Sequence, residues 1–178
     1  DKHIKDLTVV ILDRPRHEQL IEEVRAAGAR IKLISDGDVA GAVTAAMDEH
    51  PGVDVLMGIG GTPEAVLAAC ALKGLGGDMQ AKLYPRDEEE RQAAIDEGVG
   101  EIDQVLTLDD LVKGDDAYFA ATGITSGEFL QGVSFGLNNA RTQSIMIRSR
   151  SGTLRFIETR HNIGLKRQLP MGSAYLPG

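Results

Sequence analysis

The stretch Leu7-Thr8-Val9-Val10-Ile11-Leu12-Asp13-Arg14-Pro15-Arg16-His17 begins apolar and β-branched and ends in charge. A run of this kind, with no polar residue alternating through it, reads as a strand covered on both faces. The proline after it fixes the local backbone, and Leu20, Ile21, Val24 and Ala27 then recur at helical spacing until Gly28, placed as a C-terminal cap. The same order of strand, polar loop and helix follows twice more. Residues 30–34 form a strand ending in Ser35-Asp36-Gly37-Asp38, followed by an alanine-rich helix over 39–47 and a turn at Pro51-Gly52. Residues 53–57 form a third strand running into Gly58-Ile59-Gly60-Gly61-Thr62-Pro63-Glu64, with a helix to about Leu75 that Gly74, Gly76 and Gly77 break. Three successive units of about 24 residues point to a parallel sheet with right-handed crossovers.

Further along, residues 79–84 and 117–122 read as strands, and residues 87–97 as a charged surface helix whose start is Asp87-Glu88-Glu89-Glu90. Residues 141–149 and 153–159 alternate around Ser151-Gly152, a hairpin signal. The fold class is therefore α/β: a parallel or mixed sheet with helices on both faces and an antiparallel hairpin near the C-terminus, expected to join the edge of the parallel sheet.

Composition fits this and excludes other classes. Of 178 residues, 42% are hydrophobic and 26% charged, as a soluble chain with a core requires, while only 4% are aromatic. The single cysteine, Cys70, makes no disulfide within the chain and reads as a small core residue. Glu64 interrupts the longest apolar run, and the N-terminal residues lack the apolar centre of a signal peptide, so a cytoplasmic protein without a membrane partner is expected. A net charge of −8 argues against bulk binding of nucleic acid. His17, His50 and His161 lack ligand-spaced partners, so a zinc site is not expected.

In open parallel sheets, ligands bind beyond the carboxyl ends of the strands, where the three polar loops fall. Arg14 and Arg16 flank Pro15, and arginine forks match phosphate oxygens; exposed, idle arginines are the alternative. Asp36-Gly37-Asp38 places two carboxylates around a glycine, suited to a hard cation or to sugar hydroxyls, or to capping of the following helix by Asp38. The loop 58–64 brings backbone amides and a helix N-terminus to an anion. Glu64 there either complements the helix dipole or reaches a metal. Pro63 stands where a dinucleotide fingerprint has its third glycine, which argues against a nicotinamide enzyme. Arginines, carboxylates and an amide cradle at one edge describe a site for a phosphorylated sugar or polyol, with or without a metal. Arg148, Arg150 and Arg155 surround the hairpin, as an oligomer surface or a phosphate-facing strand.

These loops, with Ala121-Thr122-Gly123-Ile124-Thr125 and Thr142-Gln143-Ser144-Ile145-Met146-Ile147-Arg148-Ser149, resemble in order the motifs of the class II (GlpX-type) fructose-1,6-bisphosphatases. The resemblance implies a metal-dependent phosphatase of gluconeogenesis, using Mn2+ or Mg2+ to convert fructose 1,6-bisphosphate to fructose 6-phosphate, with sedoheptulose 1,7-bisphosphate as a further substrate in some relatives. It implies that Arg14, Pro15, Arg16, Asp36, Gly37, Asp38 and Gly61 contact substrate and that Glu64 is a metal ligand. It covers the C-terminal half of that family only, with residues 1–161 as the sugar-phosphate-binding domain and 162–178 as an unassigned tail. The catalytic residues are then expected in the missing N-terminal half, in cis or as a separate chain, with a homo-oligomer as the assembly. The alternative is a sugar-phosphate-binding domain that is inactive without that half.

Overall fold

The computed structural model describes residues 2–47, 52–98 and 101–166, so His50 and most of the 162–178 tail lie outside the described residues. The chain divides into two compact units, one formed by Asp1–Phe119 with Ile147–Thr153 and the other by Ala120–Met146 with Leu154–Gly178.

The first unit opens with β1 (Thr8–Leu12), α1 (Glu18–Ala27), β2 (Arg30–Ile34), α2 (Asp38–Ala45), β3 (Val55–Leu56) and α3 (Thr62–Leu75). The three strands are parallel in the order β2-β1-β3. The apolar run is thus the central strand, and all four of Val9, Val10, Ile11 and Leu12 are buried. Side chains alternate between its faces. Val9 and Ile11 pack with Ile21 and Val24 of α1, whereas Gly41 of α2 sits over Val10, Ile34 and Leu56 so closely that a Cβ would lie 2.7 Å from Leu56 Cδ1. Helices therefore cover both faces, as expected. Crossing from β2 over β1 to β3 reverses the direction of strand addition, which puts a topological switch point between β1 and β3.

Two expectations need correction at the helix ends. α2 begins at Asp38, with Gly37 as its N-cap at φ +82°, a backbone conformation suited to glycine. Gly74 does not break α3: it is buried within the helix, where Ile147 occupies the space a side chain would need. The break comes at Gly76, whose φ of +73° closes the helix. Cys70 on the same helix is half-buried.

The chain continues through β4 (Gln80–Lys82), α4 (Glu88–Asp96), β5 (Val105–Thr107) and α5 (Leu108–Leu111). The predicted strand over 79–84 is present as β4 but stays outside the parallel sheet, pairing antiparallel with β5. β5 escaped the sequence reading because three residues show no usable periodicity. Asp87 caps α4 by accepting the Glu90 N–H at 2.8 Å, the expected helix-start role for this acidic cluster.

The last strands are β6 (Tyr118–Thr122), β7 (Ser134–Phe135), β8 (Asn139–Arg148) and β9 (Thr153–Asn162), before the short α6 (Ile163–Lys166). β8 pairs with the other three. The turn from β8 to β9 ends at Gly152, φ +55°, and is too short for a parallel crossover. The predicted hairpin thus exists. It does not extend the parallel sheet, as had been expected, because two ten-residue strands joined by a tight turn satisfy each other locally.

Candidate functional site

Parallel pairing of β1, β2 and β3 puts their carboxyl ends at one edge, and the segments 13–17, 35–37 and 57–61 leave from it. The ladder carries on into the first and third of these: Asp13 N–H donates to Ile34 O and Met57 N–H donates to Val10 O. The loops therefore start from fixed backbone.

They meet at residues 58–61. Arg16 Nε donates to the Ile59 carbonyl at 2.8 Å, spending one of five guanidinium donors and leaving the exposed side chain its Nη groups. His17, next in sequence, has no exposed surface. Its Nδ1 lies 2.8 Å from Leu12 O, and the Ile59 N–H reaches its Nε2 at 2.8 Å. Gly58 is glycine for this ring: a Cβ there would lie 3.2 Å from two imidazole atoms.

Just after the second loop, Oδ1 of Asp38, the first residue of α2, accepts the Val39 N–H at 2.9 Å. Its other oxygen, Oδ2, lies 3.0 Å from where a Cβ of Gly60 would be. Asp38 therefore does not cap as a preceding residue would; it leans over the glycine loop. Glu64 is in the first turn of α3, and its carboxylate folds back onto Gly61, occupying the position of a Cβ there. Both carboxylates complement their helix dipoles, and neither glycine tolerates a side chain without moving one of them.

Of the residues singled out from sequence, Arg16, Asp38, Gly61 and Glu64 gather around the loop 58–61. Pro15 begins the turn preceding α1. Arg14 is exposed, its Nη1 3.3 Å from Asp13 O, and Asp36 is exposed in the bend before Gly37. The residue that sequence reasoning missed is His17, seen only as a histidine without a metal partner. Its sole sequence signal is the glycine forty-one positions later that makes room for it.

Arg148, one of the three arginines around the hairpin, makes a two-pronged ion pair with Asp116 and stands 5.0 Å from the Tyr118 ring centroid. Among the described residues no group of three or more His, Cys, Asp or Glu side chains is arranged to hold a metal. A single carboxylate such as that of Glu64 does not make a metal centre. In a groove lined by Arg91, Ile95, Glu101, Ile102 and Asp103, Asp103 is paired with both Arg91 and Lys82. Among the described residues no helix is long and apolar enough to cross a membrane.

Comparison with known proteins places this edge in context. Residues 1–161 match the family described as bacterial fructose-1,6-bisphosphatase, glpX-encoded. The chain is 41% identical, over 96% of its length, to a D-fructose 1,6-bisphosphatase class 2/sedoheptulose 1,7-bisphosphatase of Trichodesmium erythraeum, covering 53% of that relative. It is 44% identical, over 90% of its length, to a fructose-1,6-bisphosphatase class 2 of Haemophilus influenzae, covering 51% of it. A third relative, from a Synechococcus strain and named like the first, is 42% identical over 90% of this chain and 50% of its own. The chain spans about half the length of the curated relatives it matches. With its ordered loops and this match over most of its residues, the chain belongs to the glpX-encoded bacterial fructose-1,6-bisphosphatase family.

Proposed function

We propose that this chain is the sugar-phosphate-binding half of a phosphoric monoester hydrolase acting on fructose 1,6-bisphosphate, with sedoheptulose 1,7-bisphosphate a substrate of the same class. The observation that carries this reading is that the loop after β1 and the first turns of α2 and α3 meet at residues 58–61, with Arg16 on Ile59, Asp38 against Gly60 and Glu64 against Gly61.

Charge sorts the roles. A phosphate is drawn to helix N-termini, but Asp38 and Glu64 already place carboxylates in the first turns of α2 and α3. These two helix ends are therefore suited to hydroxyls or a cation, and the dianionic phosphate belongs with Arg14 and Arg16. In this arrangement the arginines anchor the non-reacting phosphate, Asp36 and Asp38 accept from sugar hydroxyls beside Gly37, and Gly61 lets the backbone approach the ligand. Glu64 contributes one ligand to Mg2+ or Mn2+, which supplies Lewis-acid stabilisation of the phosphoryl group when bound. The remaining ligands and the groups acting on the scissile phosphate belong to the part of the relatives that this chain does not span. Remote anchoring positions the reacting end, and its binding energy appears in the barrier. We place the enzyme in the cytoplasm as a homo-oligomer.

Phosphate release from fructose 1,6-bisphosphate in the presence of Mn2+ tests this division of labour. Turnover is expected when the chain is joined to, or mixed with, the other half of the relatives' sequence. Turnover by this chain alone would place the whole catalytic apparatus in it and overturn the assignment. Saturable binding without turnover even in the reconstituted protein would favour a non-catalytic binding domain, the reading consistent with the lone Glu64.

A further inference from the structure

We infer that His17 is a positioning residue, a buried neutral imidazole that latches the arginine loop after β1 to the glycine loop after β3. The ring's state follows from its neighbours. Leu12 O only accepts, so Nδ1, 2.8 Å away, carries the proton. The Ile59 N–H only donates, so Nε2, at 2.8 Å, is bare. Both contacts select the same tautomer. The Ile59 carbonyl, 3.2 Å from Nε2, is left to Arg16.

The latch spans the switch point between β1 and β3. The backbone of Ile59 is thereby held on both sides, its N–H by His17 and its C=O by Arg16, two consecutive residues of the opposite loop. That fixes Gly60 and Gly61, and with them the glycines against which Asp38 and Glu64 lie. The spacing between the cationic loop and the carboxylates is thus set by a ring that itself touches no ligand. The ring is fully buried and Ile59 partly so, and removing the imidazole takes away the acceptor that the protein supplies to the Ile59 N–H. The consequence for ligand binding rests on the sugar-phosphate reading; the latch does not.

Imidazole 1H–15N correlation spectra of this chain at neutral pH read the latch directly. Nδ1 should be protonated and Nε2 bare, with a slowly exchanging Ile59 amide; a protonated Nε2 would overturn the inference. Titration with fructose 1,6-bisphosphate then reads its effect. His17→Ala should weaken binding about tenfold, because the ligand must then order a glycine loop that has lost one hydrogen bond, with amide shifts concentrated in residues 13–17 and 57–61. His17→Gln, which restores an acceptor near Nε2, should stay within about threefold of wild type and serves if the alanine variant does not fold. A folded His17→Ala variant that binds like wild type with unshifted loop amides would overturn the latch. If wild type does not bind the bisphosphate, the sugar-phosphate reading fails, while the ring state and the loop shifts still decide for or against the latch.

Discussion

The imidazole of His17 and the backbone amide of Ile59, 42 residues apart in sequence, share a 2.8 Å hydrogen bond that ties the carboxyl end of β1 to that of β3. It holds the loop of Arg16 against the glycine loop that the Asp38 and Glu64 carboxylates face.

Arg14 and Arg16 should separate by what else they hold. Arg14 is exposed and near only its own loop backbone, so Arg14→Ala should weaken fructose 1,6-bisphosphate binding about 10- to 100-fold, the range for a charged hydrogen bond, without changing stability. Arg16→Ala should weaken binding as much and also lower the melting temperature, because the Ile59 carbonyl loses its donor. Calorimetric titration with thermal melts distinguishes the two.

Gly61→Ala should act through Glu64. The added methyl takes the place of the Glu64 carboxylate, which must swing away, while Gly61 itself has an extended backbone that any residue adopts. Gly61→Ala and Glu64→Gln should therefore lower turnover of the reconstituted enzyme similarly and raise its Mn2+ requirement, and the double variant should be little worse than either. Additive losses would mean that Gly61 acts independently of Glu64.

Gly74→Ala tests packing against propensity. Alanine in a helix interior gains up to about 1 kcal/mol over glycine, but here it collides with buried Ile147, and overpacking costs about 1–3 kcal/mol. The net should be destabilising by up to about 2 kcal/mol. In an Ile147→Ala background the same substitution should become neutral or stabilising, as denaturant unfolding of the four variants would show.

Asp116 predicts an acid-dependent term. The Arg148 hydrogen bonds hold its carboxyl below the ordinary 3.8. A depressed carboxylate contributes stability that is present above its unfolded pKa and is lost as pH falls through the folded one. Asp116→Asn should therefore lower the melting temperature at pH 7, and the two proteins should converge below the folded pKa of Asp116. A difference that persists in acid would show that the effect does not come from the Asp116 charge.

The parallel core was legible because its signal is strong: an uninterrupted β-branched strand, helical spacing after it, and Gly28 closing the helix. The three loops were legible for the same reason, since a strand's carboxyl end locates the loop that follows. What sequence did not show were relations across the chain. Gly58 looked like one more glycine for an anion, whereas it makes room for His17. Gly74 looked like a helix breaker, but buried packing against Ile147 outweighs its propensity. The hairpin was visible from alternation, yet its sheet was not, because period-two patterning reports that a strand has two faces and not which strand it pairs with.

The most direct measurement is titration of this chain with fructose 1,6-bisphosphate, followed by amide chemical shifts. Saturable shifts clustered in residues 13–17, 35–39 and 58–64, and abolished by Arg14→Ala with Arg16→Ala, are the expected result. Saturation that maps instead to the groove at Arg91 and Asp103, or no saturable binding at all, would contradict a sugar-phosphate site at the carboxyl edge of β1, β2 and β3.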